Sequence, residues 1–353
     1  MGDRVSWDSV SQEQIDGYAV NRRLRIAALL SLLLVILPFG QAHAARYKVC
    51  NSVPTSNLTV NVKSTGAKGD GRTDDTKAIQ RAIDEVAGSG GTVYLPPGTY
   101  MVGTGKKDSL RLRSNMTFKM APSAVLKMFP TNKSQYNVLR IPNAKDVTVT
   151  GGTIIGDRAR HKGRGGEWGM GITLRGAKRI SITNVRVKNM WGDGFYVVDA
   201  EDVALCGVRA ERNRRQGLSI IHGNRILVTR SVFRDTKGTR PGAGIDLEPD
   251  RPDQTISNVR IERSKFINNE GAGIMIAGKK ARISRIQIQN NEFDGARPLL
   301  IEYAPRIAES QICGNRYKPF QRIDKKMFEK VSRPRHTIGM QMPCDGRAQK
   351  RLW

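Results

Sequence analysis

The chain has 353 residues, with 59 Lys and Arg against 32 Asp and Glu, a formal charge of +27, 39% hydrophobic residues and only 6% aromatics. That hydrophobic share excludes a disordered polar chain, and four scattered Cys in so long a chain exclude a miniprotein built on disulfides. With no Cys-x-x-Cys pair and no His-rich tract, a structural zinc site is not expected.

Arg22, Arg23 and Arg25 precede an apolar run from Ile26 to Phe39, which ends in Gly40-Gln41-Ala42-His43-Ala44. A basic stretch, a short apolar stretch and an Ala-x-Ala site predict a signal peptide over 1–44, with an uncleaved anchor as the alternative. The run is short of the ~17–25 residues that span a bilayer. The mature chain is therefore expected in the periplasm or outside the cell, with no stable membrane anchor. A basic exported chain points to a polyanionic polysaccharide rather than nucleic acid, or to a charge that is only solvated surface.

From Val60 the chain reads as a strand (Val60-Asn61-Val62), a glycine turn (Thr65 to Gly71), and a helix opened by Asp74 or Asp75 over Ala78 to Ile83. A strand closed by Pro96-Pro97-Gly98 follows. The helix is expected to cover the open end of whatever sheet follows.

The middle of the chain repeats. Gly171, Gly194, Gly217, Gly244 and Gly273 each precede a short apolar strand, beginning at Ile172, Phe195, Leu218, Ile245 and Ile274, at intervals of 23, 23, 27 and 29 residues. A second strand lies inside each interval (Arg179–Thr183, Asp202–Leu205, Arg225–Val228, Ser257–Ile261, Ala281–Ser284) and a third follows, as at Val185–Val187, Ser231–Phe233 and Lys265–Ile267. Three strands per unit of little more than twenty residues predict an all-β fold, a right-handed parallel β-helix (a single-stranded solenoid) with an N-terminal capping helix. A β-propeller would have longer, aromatic-rich repeats. Glycines before the strands are read as permitting tight corners, and Asn189, Asn213, Asn268, Asn269, Asn290 and Asn291 as occupying left-handed corner positions. The β-helix domain is expected over 45–313, followed by a basic C-terminal extension over 314–353.

With the glycine-preceded residues pointing inward, Thr173, Tyr196, Ser219, Asp246 and Met275 form one outward column and Arg175, Val198, Ile221, Glu248 and Ala277 the next. Adjacent coils lie about 4.8 Å apart, so Tyr196 and Asp246 stand roughly 9–10 Å from each other. Asp193 precedes the Tyr196 strand; Arg214, Arg215 and Gln216 fill the next corner; His222 and Asp250 lie just past neighbouring strands. Glu167 and Trp168 end a Gly-, Arg- and Lys-rich loop beginning at Asp157.

Carboxylates beside arginines suit sugar chemistry. Asp193, Asp246 and Glu248 are candidate hydrolytic acids, with Tyr196 or His222 as a base for elimination. Glu167, Trp168, Arg175, Arg214, Arg215, Gln216, Arg240 and Asp250 are candidate substrate contacts. No cofactor is required, although Asp246, Glu248 and Asp250 offer hard oxygens to Ca²⁺. The bland alternative is a solvated acidic face with salt-bridged arginines. His161, in a basic loop, is read as exposed; Trp191 as stacking on sugar or packing under a loop. Cys313 and Cys344 are a candidate disulfide, whereas Cys50 and Cys206 pair only if the N-terminal segment runs back along the coils, which is not expected.

The stretch Thr65-Gly-Ala-Lys-Gly-Asp-Gly71, Thr73-Asp74-Asp75-Thr76, Ala78-Ile79-Gln80 and Gly90-Gly91-Thr92-Val93-Tyr94-Leu95-Pro96-Pro97-Gly98-Thr99-Tyr100 closely resembles the opening of the pectate-lyase-like superfamily of polygalacturonases, rhamnogalacturonases, lyases and alginate epimerases. The resemblance runs from about Val60 through Ile301 and implies the β-helix fold and work on carbohydrate. Departures are specific. Polygalacturonases carry paired Asp where this chain has Gly192-Asp193-Gly194, and a His where it has Gln216. Alginate epimerases carry Asp and His that Asp193-Gly194-Phe195-Tyr196-Val197-Val198 lacks. Three functions follow: an enzyme cleaving an acidic polysaccharide as hydrolase or lyase, a C5-epimerase, or a non-catalytic glycan-binding or adhesion β-helix.

Overall fold

A computed structural model describes residues 50, 56–103, 108–278, 281–295, 297–302, 306–318 and 338–340. The signal segment, most of the C-terminal extension and His336 lie outside the described residues. The chain winds as a parallel β-solenoid whose strands stack into three sheets. Among the described residues sheet 1 has 12 strands, from Thr59–Asn61 to Ile338–Met340; sheet 2 has 10, from Asp70–Asp74 to Arg316–Lys318; sheet 3 has 8, from Asp108–Arg111 to Leu299–Glu302. One coil takes a strand from each, as in Phe195–Val198 (sheet 3), Ala200–Cys206 (sheet 1) and Arg209–Glu211 (sheet 2).

The repeat in the sequence is the repeat in space. Ile172, Phe195, Leu218, Ile245 and Ile274 stand in direct register down sheet 3, each fully buried. Inside sheet 2 the stack is aromatic: Phe233 on Phe266 at 5.4 Å, Phe266 on Phe293 at 4.8 Å, and Phe293 on Tyr317 at 5.4 Å between ring centroids. Identical positions repeat every coil, so side chains of similar shape stack and one continuous core results.

A helix, α1 (Thr76–Val86), buries Ala78, Ile79, Ala82, Ile83 and Val86, a stripe at helical spacing, against the first strands of sheets 1 and 3. Its opening divides the work between two acids. The Asp74 carboxylate accepts from the Thr76 N–H at 3.0 Å, while that of Asp75 turns back to accept from the N–H groups of Lys68 (2.6 Å) and Gly69 (2.9 Å).

Two expectations need correction. The glycines before the strands are not corner glycines. None of the five has a left-handed φ, and a Cβ on Gly171, Gly194, Gly217 or Gly244 would meet the carbonyl oxygen of the next such glycine at 2.4–2.7 Å. They are there because the coils approach too closely for a side chain. The left-handed positions fall elsewhere: Asn189, Asn268 and Asn290 as expected, but also Arg179, Asp202, Arg212 and Arg225. Asn213 and Asn291 instead are buried between coils, where the Asn213 carbonyl accepts from the Met190 N–H at 3.1 Å and the Asn291 amide donates to the Ile261 carbonyl at 2.9 Å.

The second correction concerns the cysteines. Cys50 and Cys206 form a disulfide across 156 residues of sequence. Thr59 begins sheet 1 at its first strand, whereas Cys206 ends its sixth, so Cys50 is held five strands along from Thr59. Cys313 is also disulfide-bonded, and its expected partner Cys344 lies outside the described residues.

Candidate active site

The outward column of sheet 3 has the expected register, Thr173, Tyr196, Ser219, Asp246 and Met275. The corner before each strand adds Asp193 and the pair Arg215-Gln216. Because Gly192, Gly194 and Gly217 let neighbouring coils approach closely, these corner side chains reach over the column.

Arg215 is the centre. Its guanidinium, with the side chain only 12% exposed, donates through Nη1 to Asp193 at 3.1 Å and through Nη2 to Glu248 at 3.1 Å, and lies 3.7 Å from Glu167 through Nε. The Ser219 hydroxyl donates to the same Asp193 oxygen at 2.8 Å. Burial pushes the pKa of Arg215 down, but Asp193, Glu248 and Glu167 together raise it, so the cation is permanent. One cation thus faces three carboxylates contributed by three different coils.

Asp246 lies beneath this group. Its carboxyl accepts from the Gln216 amide N–H at 2.6 Å, and the orientation of that amide is fixed because its oxygen accepts from the Ala243 N–H at 2.8 Å. Gln216 therefore gives Asp246 a neutral hydrogen bond. Burial, then the negative charge of Glu248, raises the pKa of Asp246 well above the usual carboxylate range. Asp193 is raised to about 6, by burial against the opposing pull of Arg215 and Ser219. Tyr196 is pushed up to about 12, first by burial and then by Asp250 and Asp193, which keeps it a phenol.

Exposure separates these groups. Asp193 and Asp246 are fully buried, so the strand carboxylates are not a solvated face, while Glu248 and Glu167 are 29% and 34% exposed and Trp168 beside them is 47% exposed. Of this group, Glu248, Glu167, Tyr196 and Trp168 are the members that reach solvent. The neighbouring outward residues Val198, Ile221 and Ala277 are covered and apolar.

Four candidates stand apart from Arg215. His222 pairs with Asp199 at 3.0 Å, and exposed Arg175 lies 3.9 Å from the same carboxylate. Arg240 is exposed at a cis Arg240–Pro241 bond. Arg214 donates to the Gly166 carbonyl at 2.8 Å and stacks its guanidinium 4.0 Å above Trp191. The other neighbour of Trp191 is His161, stacked at 3.9 Å. His161 is not exposed. Its side chain is fully buried, 2.8 Å from Asp157, which also binds the Tyr136 hydroxyl. This clamp holds the loop that presents Glu167. Sequence reading missed it because residues as far apart as Tyr136 and Arg214 meet only across coils. Ser219 was visible in the column but carries no signal until Asp193 is seen beside it. Among the described residues no three acidic, His or Cys side chains come together in a metal-binding arrangement.

A parallel β-solenoid with a carboxylate–arginine cluster on one outer sheet defines a class, and sequence comparison gives the family. Residues 59–292 match the model of the rhamnogalacturonase A/epimerase, pectate lyase-like family, and the chain belongs to it. YclG of Bacillus subtilis is 26% identical, over 63% of this chain and 45% of its own length. Mannuronan C5-epimerase AlgE6 of Azotobacter vinelandii is 37% identical over 39% of this chain and 17% of its own. The chain thus spans less than half the length of these curated relatives. Among solved structures, the Streptococcus pneumoniae surface adhesin PfbA superposes with a TM-score of 0.58 at 18% identity, covering 74% of this chain and 77% of the adhesin. The family 28 exopolygalacturonase of Yersinia enterocolitica gives 0.53 at 17% identity, covering 75% and 67%. These two likenesses show the fold. Enzymes and an adhesin share it.

Proposed function

We propose that the protein is an exported glycoside hydrolase that cleaves a uronate-type polysaccharide along the outer face of sheet 3. The observation that carries this reading is the Asp246–Glu248 pair, in which a buried carboxyl holds its proton beside a partly exposed carboxylate, next to a permanent cation. Asp246, with its pKa raised, is the acid that protonates the leaving oxygen, and Glu248 is the partly exposed member of the pair, open to the sugar. Glu167, across Arg215, is the second exposed carboxylate, placed to activate water or attack the anomeric carbon. Asp193 and Ser219 position Arg215, and Trp168 offers a ring face to the sugar.

Hydrolysis is favoured over elimination because Arg215 is already matched by three carboxylates and has little charge left to neutralise a substrate uronate. Tyr196, held protonated, is a poor base for removing a C5 proton. Disulfides at Cys50–Cys206 and at Cys313 support export, since such bonds persist in oxidising compartments.

The test is incubation with polygalacturonate, alginate and other acidic glycans, with and without Ca²⁺, following reducing ends and unsaturated-uronate absorbance together. New ends without absorbance, lost in Glu248→Gln, support the proposal. New ends with absorbance mean a lyase. Silence in both, with a change in uronate stereochemistry, means an epimerase. Binding alone means an adhesin.

A further inference from the structure

The charge that draws a polyanion is not where the carboxylate cluster is. Around Arg215 the field is acidic, with Glu167, Asp193 and Glu248 facing a single cation. The outer face of sheet 2 is the reverse. In its strands the middle residue points into the core and the flanking residues point out, and the first outward column stacks Arg186, Arg209, Val232, Lys265, Glu292 and Arg316 in register.

Four acids lie on or beside this stretch of the face: Asp294 stands in register with Lys318 and Asp235 pairs with Arg234, while Glu211 and Glu292 are each divided between two cations. Glu211 binds both Arg186 and Arg209; Glu292 binds both Lys265, at 3.1 Å, and Lys318, at 2.9 Å. Each such trio keeps a positive charge. Lys188 and Arg212 add to it, and they crowd one another: burial, then Arg186 and Arg212, lowers the pKa of the Lys188 ammonium. The cations of the first column stand one or two coils apart, at multiples of about 4.8 Å, so they match the rings of an extended chain of pyranose units that bears a carboxylate on every ring.

We propose that the outer face of sheet 2 is a non-catalytic docking track for a polyuronate chain, separate from the Arg215 cluster on sheet 3. The inference rests on the reading of the substrate as an acidic glycan. Nucleic acid fits the face less well. Its outward columns carry no aromatic ring on which bases stack, and the large apolar side chains exposed among the described residues, Leu58 and Trp168, lie on other faces.

The experiment compares the full chain carrying Lys188→Glu, Arg212→Glu and Arg316→Glu with one carrying Lys77→Glu, Lys145→Glu and Arg282→Glu, an equal charge change on exposed residues outside sheet 2. Thermal melts establish that both fold. Binding to polygalacturonate and alginate is measured at low and moderate salt, without reference to turnover. The expected result is at least a tenfold loss of affinity and a shallower salt dependence in the first variant, with the second within about twofold of wild type. Equal losses in both variants, or no loss in the first, overturn the track. So does tighter binding of a single-stranded oligonucleotide than of a polyuronate of matched charge. If no glycan is cleaved yet binding falls as expected, the hydrolase reading fails and the track stands. If cleavage of short oligosaccharides is seen and binding is indifferent to the sheet 2 charges, the reverse holds.

Discussion

At the scale of the residue, Arg215 decides how the site behaves. Removing it leaves Asp193 buried without its cation. Arg215→Ala is therefore expected to cost about 3–5 kcal/mol, read as a fall in the denaturation midpoint. In the proposed hydrolysis Asp246 sets the pH dependence. Glu248→Gln and Asp246→Asn are each expected to lower kcat by roughly 10²–10⁴-fold with the fold retained, and wild-type kcat to fall on the alkaline side as Asp246 loses its proton. Asp193 makes a separate prediction about stability. Folded, it holds its proton up to about 6; unfolded, it has the ordinary value of 3.8. Between those values the folded state binds more protons, so the stability it contributes is complete at the acid end and lost as pH rises through about 6. The change is about 3 kcal/mol for so fully buried a group. Melting at pH 5 should exceed that at pH 7.5, and Asp193→Asn should flatten the difference.

At the scale of the element, the solenoid depends on glycines whose function is contact. A Cβ at Gly217 would lie 2.4 Å from the Gly244 carbonyl oxygen and 2.8 Å from the Phe233 ring, whereas one at Gly165 would meet nothing within 4 Å. Gly217→Ala is expected to destabilise by about 1–3 kcal/mol, the usual cost of overpacking, and to loosen the corner that carries Arg215. Gly165→Ala should leave the melting temperature unchanged. The strand triplets and their register were legible because apolar residues recur at fixed offsets from those glycines. The reason for the glycines was not, since the spacing between coils is a property of the stack.

At the scale of the whole molecule, one disulfide closes a loop of more than 150 residues. Cys206 and Cys313 occupy the same outward column of sheet 1, linked in register through Thr229, Glu262 and Gln289. In the chain-entropy picture the Cys50–Cys206 link is worth up to about 5 kcal/mol. A Cys50→Ser/Cys206→Ser variant should unfold at clearly lower denaturant, and reductant should destabilise the wild type but not this variant through that bond.

The sequence by itself determined the solenoid, its coil register and the outward column from Thr173 to Met275, because a one-dimensional repeat writes its own alignment. It also pointed to Asp193, Arg215, Gln216, Asp246 and Glu248 as neighbours. Only the tertiary structure decided that Asp246 and Asp193 are buried while Glu248 is not, that His222, Arg175 and Arg240 stand apart, and that Cys50 reaches Cys206. Burial depends on what neighbouring coils and loops lay over a side chain, and that covering is set by three-dimensional packing rather than by periodicity.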